Sequence, residues 1–365
     1  MNIFMTNNVF PIGRHIAYGG ERIVFYLIEE LVKLGHDVHV FAREGSDFNG
    51  IKIASYTPVG PLDSRPDVHY EAALTLSKKT GIEPDVYQCN YFGNNWKPEC
   101  RDFAPVYTEL TWCKWCHGVP YQREGGHPHN VISYSRVLQS DFIQDRVLTT
   151  MIHYGIPKDL YTFQPEHDGY AVWIGKIEGG KRPDLAIELA LAAGLKIVIM
   201  GPPYNTGTFW QQVAPYLDKF PDKVFWVRGV DDAQKYKIMS RARCFISSND
   251  NTWKEHFGIV NIEALAMGVP IIGFNRIGQD CAIKTDTIIE DGIHGFLLNY
   301  YNSNDTAEIL EKGLPLLQKI DTIDRAACRQ QFEARFTSEL MARRYEWFYK
   351  HVMENGPVLL TEVPF

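Results

Sequence analysis

A chain of 365 residues exceeds one ordinary compact domain and suits two of about 150 to 200 residues each. Its 45% hydrophobic and 22% charged residues exclude disorder, and a formal charge of −7, spread over both halves, argues against binding a nucleic-acid backbone and weakly against docking on anionic lipid. Seven cysteines read as reduced thiols, because the N-terminus MNIFMTNNVFPIG lacks the basic flank and small-residue cleavage pattern of an export signal, and no 18-residue apolar run suggests a membrane span. The expected compartment is the cytoplasm.

In chain order, NIFMTN reads as a short buried strand, the run from Glu21 to Leu34 has helical apolar spacing closed by Gly35, and HDVHVFA is a second strand. That order is a parallel βαβ unit. Further strands are expected at DVYQC, APVYTEL, VIS and LTTMIH. The segment IPKDLYTFQPEHDG is rich in proline and polar residues, which places a boundary near 165.

A second series follows, with strands at YAVWIG, KIVIMG, KVFWVRG, RCFISS and VPIIGF and helices from Arg182 to Ala193, Asp232 to Ser240 and Gly258 to Met267. Such alternation predicts an open, doubly wound α/β sheet whose ligands bind beyond the carboxyl ends of the strands. The C-terminal stretch FTSELMARRYEWFYKHVME repeats apolar residues at helical spacing and must bury that stripe, either in its own core or back against the first domain.

The stretch TWCKWCHGVP holds Cys113, Cys116 and His117 in the spacing of a c-type haem attachment or a metal seat. Haem of that type is attached outside the cytoplasm, and the other cysteines form no second close pair for zinc. Neither haem nor structural zinc is therefore expected as a cofactor.

The most informative stretch is EHFGIVNIEALAMGVPIIGF, in which seven residues separate Glu255 from Glu263 across a loop and a helix start. Gly258 would let the backbone approach a ligand, and the exposed amides of Phe257, Gly258, Ile259 and Val260 suit phosphate oxygens. Glu263 lies within reach of ribose hydroxyls as a paired acceptor, whereas Glu255, outside the helix, faces whatever lies beyond the phosphates.

This segment, with Ala264, Gly268 and Pro270, resembles the retaining glycosyltransferases of family 4. The resemblance implies a GT-B fold: two Rossmann-like doubly wound domains facing each other across a cleft, with the C-terminal helix crossing back to the first. The expected divisions are an acceptor-side domain over 1–165, a nucleotide-sugar donor domain over 166–335 and the returning helix over 336–365.

Other segments match in the family's order. WIGKIEGGKRPDLAIELA resembles its strand and Gly-Arg loop, with Lys176 in place of the usual arginine and Lys181 five residues on, so that two cations straddle a glycine-rich turn and can neutralise a leaving diphosphate. Arg228, Gly229 and Val230 resemble the loop that meets the base, and EDGIHGFLL an element before a late strand. Gly19 and Gly20, followed by Glu21 and Arg22, resemble the loop facing the donor phosphate, one residue short; a plain turn before a helix would use the same glycines. At the end of APVYTEL many relatives carry a histidine where this chain has Leu110, leaving His117 and Glu109 as candidates for its role.

The resemblance implies a hexosyl transfer from a nucleotide-diphosphate sugar, UDP first and GDP next by family frequency, to a hydroxyl of a glycan or small molecule, with retention and without a metal. Glu255, Lys176, Lys181 and His117 would serve the chemistry. Three other classes stay open: a GT-B epimerase or phosphorylase, a dinucleotide oxidoreductase lacking the Gly-x-Gly-x-x-Gly turn, and a silent nucleotide-sugar binding protein.

Overall fold

The computed structural model describes residues 1–7, 10–16, 19–60, 66–90, 103–110, 130–136, 139–140, 149–229, 231–250, 257–279 and 281–364. The chain divides into two units, Met1–Pro157 with Thr337–Phe365, and Lys158–Phe336. The division falls at 157/158 rather than near 165, so that the proline-rich segment opens the second unit.

In the first unit the elements run β1 (Asn2–Asn7), α1 (Gly19–Lys33), β2 (Asp37–Arg43), β3 (Ser55–Val59), α2 (Pro66–Thr80), β4 (Val86–Asn90), β5 (Val106–Leu110), β6 (Asn130–Ser133) and β7 (Thr149–Met151). The sheet order is β3-β2-β1-β4-β5-β6-β7, and every pairing is parallel. Parallel sheets are covered on both faces, which is why β1 and β4 read as continuous buried runs rather than alternating ones. Sequence reasoning missed β3 and α2. Strand β3 is an edge strand, half exposed and carrying Pro58, which an edge tolerates because no ladder bond is required of it on the open side.

The second unit runs β8 (Ala171–Ile174), α3 (Pro183–Ala192), β9 (Ile197–Met200), α4 (Thr206–Gln212), α5 (Ala214–Lys219), β10 (Val224–Val227), α6 (Asp232–Ser240), β11 (Cys244–Ser247), α7 (Ile259–Ala266), β12 (Ile271–Arg276), α8 (Ala282–Thr285), β13 (Gly295–Tyr300), α9 (Thr306–Gln318) and α10 (Arg325–Arg335). Its parallel sheet has the order β10-β9-β8-β11-β12-β13. Strand order therefore reverses between β8 and β11, and the carboxyl ends of those two strands open the crevice in which doubly wound sheets bind ligands.

The last helix, α11 (Ser338–Asn355), belongs to the first unit, the second of the two burial sites open to its apolar stripe. Thr337 caps it by accepting from the Leu340 amide at 3.2 Å. Met341, Ala342, Tyr345, Phe348, Tyr349 and Val352 are buried, the Tyr349 hydroxyl donates to Gln88 on β4, and Ser338 Oγ donates to Glu30 of α1 at 3.1 Å. After the helix the chain adds to the edge of β7, where the Leu360 amide donates to Thr149 O at 3.1 Å and the Met151 amide to Leu360 O at 3.2 Å.

Three buried histidines set a pH response. Burial lowers the pKa of His36, His39 and His294; the amino terminus adds to this at His36, and at His294 the Nδ1 atom accepts the Glu290 amide at 3.0 Å, which requires a ring nitrogen without a proton. A pKa below 6.5 in the folded chain means that the unfolded chain binds more protons between the two values. Stability is thus complete above about pH 6.5 and is lost as pH falls through the folded values. Melting curves between pH 8 and pH 5 are expected to be flat above 6.5 and to fall below it, with a shallower fall in His294→Asn, whose amide oxygen can replace Nδ1 as acceptor. A melting temperature constant over the whole range would contradict this account.

Candidate active site

The loop leaving β8 contains Gly175, Lys176 and a 3-10 turn over Gly179–Lys181, so both predicted lysines leave the same strand at the crevice. Three contacts hold this turn to the next strand. Ser248, just after β11, donates through Oγ to Lys181 O at 3.0 Å and Arg182 O at 2.8 Å, and accepts from Trp173 Nε1 at 3.0 Å; the Asp250 amide donates to Gly180 O at 2.9 Å. A buried hydroxyl just after β11 that accepts from β8 and donates to the loop after β8 fixes the spacing of the two strand ends, because its loss would strand several polar groups.

Arg182 follows in the left-handed region at φ 46°, which is unfavourable for a side chain with a Cβ. Its guanidinium forks onto Asp184 at 2.9 and 2.8 Å and reaches Ser303 O at 2.9 Å. The charge beside Lys181 is thereby offset locally, and the turn is anchored to the segment before α9. Lys176 Nζ sits 4.8 Å from the ring centroid of Tyr204, which is 67% exposed after β9.

On the neighbouring strand's side, Gly258 stands at φ 74°, ψ 78° and opens α7 with no side-chain cap. A left-handed entry is natural for glycine, and the unclosed amides at Ile259 and Val260 form the positive end of the helix. Phe257 is buried and anchors that entry, its ring 5.9 Å from Phe336. The lysines follow β8 and the bare start of α7 follows β11, the strand beside it in the sheet, an order suited to a polyanion.

Glu263, one turn further along α7, is only 3% exposed and is already engaged. Its Oε1 accepts from Lys235 Nζ of α6 at 2.7 Å and from the Tyr161 hydroxyl at 3.0 Å. Tyr236 donates to the Tyr161 hydroxyl at 3.2 Å, with the two rings 4.6 Å apart. Sequence reasoning found the carboxylate and missed its partners, which lie 28 and 102 residues away.

Arg228 and Gly229 are exposed at the carboxyl end of β10, two strands from β8 in the same sheet. In the first unit Gly19 and Gly20 form the first turn of α1, followed by buried Glu21 and by Arg22, which donates to Ile16 O at 2.8 Å. Leu110 ends β5 and is buried, so no acid or base stands there. Glu109 contributes its backbone to β5; its side chain, together with Glu255, His117, Val230, Cys113 and Cys116, lies outside the described residues. Cys89, Cys244, Cys281 and Cys328 are buried thiols, and burial pushes Cys244 and Cys328 up to about 12. Among the described residues no helix is long and apolar enough to cross a membrane.

Two parallel, doubly wound units in one chain define the GT-B architecture. Residues 162–319, which lie within the second unit, match the family described as glycosyl transferases group 1. The chain is 27% identical over 213 residues to the alpha-1,3/1,6-mannosyltransferase alg-2 of Neurospora crassa, covering 56% of this chain and 43% of that protein. It spans less than half the length of the curated relatives it matches. Its fold is similar to a glycosyltransferase from Rickettsia africae, with a TM-score of 0.71 at 15% identity over 97% of this chain and 99% of the other. It is also similar to HepE of Anabaena, solved with UDP and glucose, with a TM-score of 0.65 at 13% identity over 96% and 99%.

Proposed function

We propose that the chain is a retaining glycosyltransferase that moves a hexose from a nucleoside-diphosphate sugar, UDP-linked first and GDP-linked next, to a hydroxyl acceptor without a metal. The observation that carries this reading is that Lys176 and Lys181 follow β8 while the uncapped start of α7 is the next helix after β11, the strand beside it in the sheet. The similarity to a mannosyltransferase and to a fold solved with UDP and glucose supports it.

The difficult step is departure of the diphosphate. Negative charge grows on its oxygens as the glycosidic bond breaks, so donors fixed in advance stabilise the transition state more than the bound sugar nucleotide. Lys176 supplies charge without a fork and rests on Tyr204, so its ammonium must swing to meet the phosphates. Lys181 and the amides of Gly258, Ile259 and Val260 would hold the same group, Arg228 and Gly229 would flank the base, and Glu263 would take the ribose. The family-like assignment also gives Gly19 and Gly20, at the start of α1, to the donor phosphate. In the family-like assignment Glu255 grips the sugar and His117 or Glu109 takes the place of the missing histidine.

A thermal-shift series with UDP-, GDP-, ADP- and dTDP-sugars identifies the donor, since a ligand at 100 times its Kd adds about 2.7 kcal/mol. Turnover of that donor is expected to persist in chelator and to give a product of unchanged anomeric configuration by NMR. Lys181→Ala is expected to lower kcat about 100-fold or more, and Lys176→Ala by about tenfold, because each removes a donor aimed at the leaving group. Transfer at wild-type rate in both variants, or no shift with any donor, would overturn the assignment.

A further inference from the structure

Glu263 Oε1 receives two strong donors, the Lys235 ammonium at 2.7 Å and the Tyr161 hydroxyl at 3.0 Å, which occupy both of its lone-pair directions. No described residue donates to Oε2. The donors are themselves held in place. Lys235 lies 3.8 Å from Asp232 and 4.9 Å from the Tyr236 ring centroid, and Arg329 donates to the Tyr161 carbonyl. Three elements, α6, α7 and the segment before β8, thus converge on one carboxylate oxygen, and the group cannot turn about its terminal torsion without breaking both bonds. The side chain keeps only 4% exposure, so whatever it binds must reach Oε2.

A freely rotating carboxylate would offer one oxygen to each hydroxyl of a vicinal diol. A pinned one cannot. We propose that Lys235 and Tyr161 are positioning residues that saturate Oε1 of Glu263, so that a single ribose hydroxyl of the donor nucleotide is received, at Oε2. The inference rests on the reading of Glu263 as the ribose acceptor. It also gives α6 a role: this helix begins just after Arg228 and Gly229, so Lys235 ties the base-facing loop to the ribose-facing carboxylate.

The test measures Kd for UDP, GDP and ADP, for the 2′-deoxy and 3′-deoxy form of each, and for pyrophosphate as a ribose-free probe. In the wild type one deoxy form is expected to bind about tenfold weaker or more and the other within about threefold, because only one loses a hydrogen bond to a charged group. In Lys235→Met the two losses should become equal, while pyrophosphate affinity stays within about twofold, which a general loosening of the fold would not leave intact. Tyr161→Phe, which keeps the ring packing, should equalise them in the same direction and serves if Lys235→Met does not fold. Equal losses in the wild type, or unchanged discrimination in the variants, would overturn the inference while leaving the donor site in place. Failure of the wild type to bind any of the three nucleotides would overturn both.

Discussion

Glu263→Ala is expected to weaken nucleotide binding about 100-fold and to lower the stability of the second unit by about 3 kcal/mol. The two effects have separate causes. Binding falls because the ribose loses a charged acceptor. Stability falls because Lys235, 14% exposed, is left in a confined place with the more distant Asp232 at 3.8 Å, and the Tyr161 hydroxyl loses its acceptor. Glu263→Gln separates them: it keeps an oxygen for Tyr161 and much of the packing, so melting should recover more than affinity does. Calorimetric titration with the preferred nucleoside diphosphate and thermal melts of the same samples give both numbers. A Glu263→Ala protein that melts and binds like the wild type would leave no role for the pair.

Gly201→Ala should be more damaging to the fold and should reach the site from behind. Gly201 follows β9 at φ 141°, and a Cβ there would stand 1.9 Å from Gly175 O, the carbonyl directly before Lys176. The neighbouring backbone is committed on both sides: the Gly175 amide donates to Met200 O at 3.1 Å, the Gly201 amide to Val227 O at 3.1 Å, and Trp226 Nε1 to Gly201 O at 3.0 Å. Backbone cannot yield as a side-chain tip can, so relief requires breaking part of this ladder. A cost of about 3 kcal/mol or more follows, which corresponds to a fall of about 6 to 12 °C in the melting temperature of a unit of this size. Because the displaced strand end carries Lys176, turnover should fall further than the fraction of folded protein explains. A variant with wild-type melting and kcat would show that the turn moves freely.

Strands β1, β4, β8, β9, β11 and β12 were legible in the sequence because strands covered on both faces carry short runs rich in apolar residues. Edge elements were not. SYTPV is short, half exposed and interrupted by proline, and only its pairing with β2 makes it a strand. Helix α2 was missed for a related reason, since Val68, Tyr70, Ala72 and Leu76 are only partly buried against the core below and leave a weak stripe. Gly258 and Glu263 stand out because each has a fixed place relative to a helix start, whereas Lys176 and Lys181 stand out through the resemblance of their loop to the family's. Tyr161 and Lys235 do not, because folding alone brings them to Glu263 and no local spacing encodes that meeting. The same holds for Ser248, whose hydroxyl joins two loops that the sequence separates by 66 and 67 residues.

The path of the chain through its two units bears on how the protein is made. Pro157 leaves the first unit beside the point where Thr337 re-enters it, with the Ser338 amide donating to Ile156 O at 2.9 Å and Ile156 bridged to Thr337. The second unit is therefore a continuous insert, complete once Phe336 has emerged from the ribosome. The first unit is then still without α11, whose Tyr345, Phe348 and Tyr349 fill its core, and without the Leu360 segment along β7. The unit that begins first in the sequence closes only after the second, and the partly synthesised chain must keep its apolar faces from other partners while the whole insert Lys158–Phe336 is made.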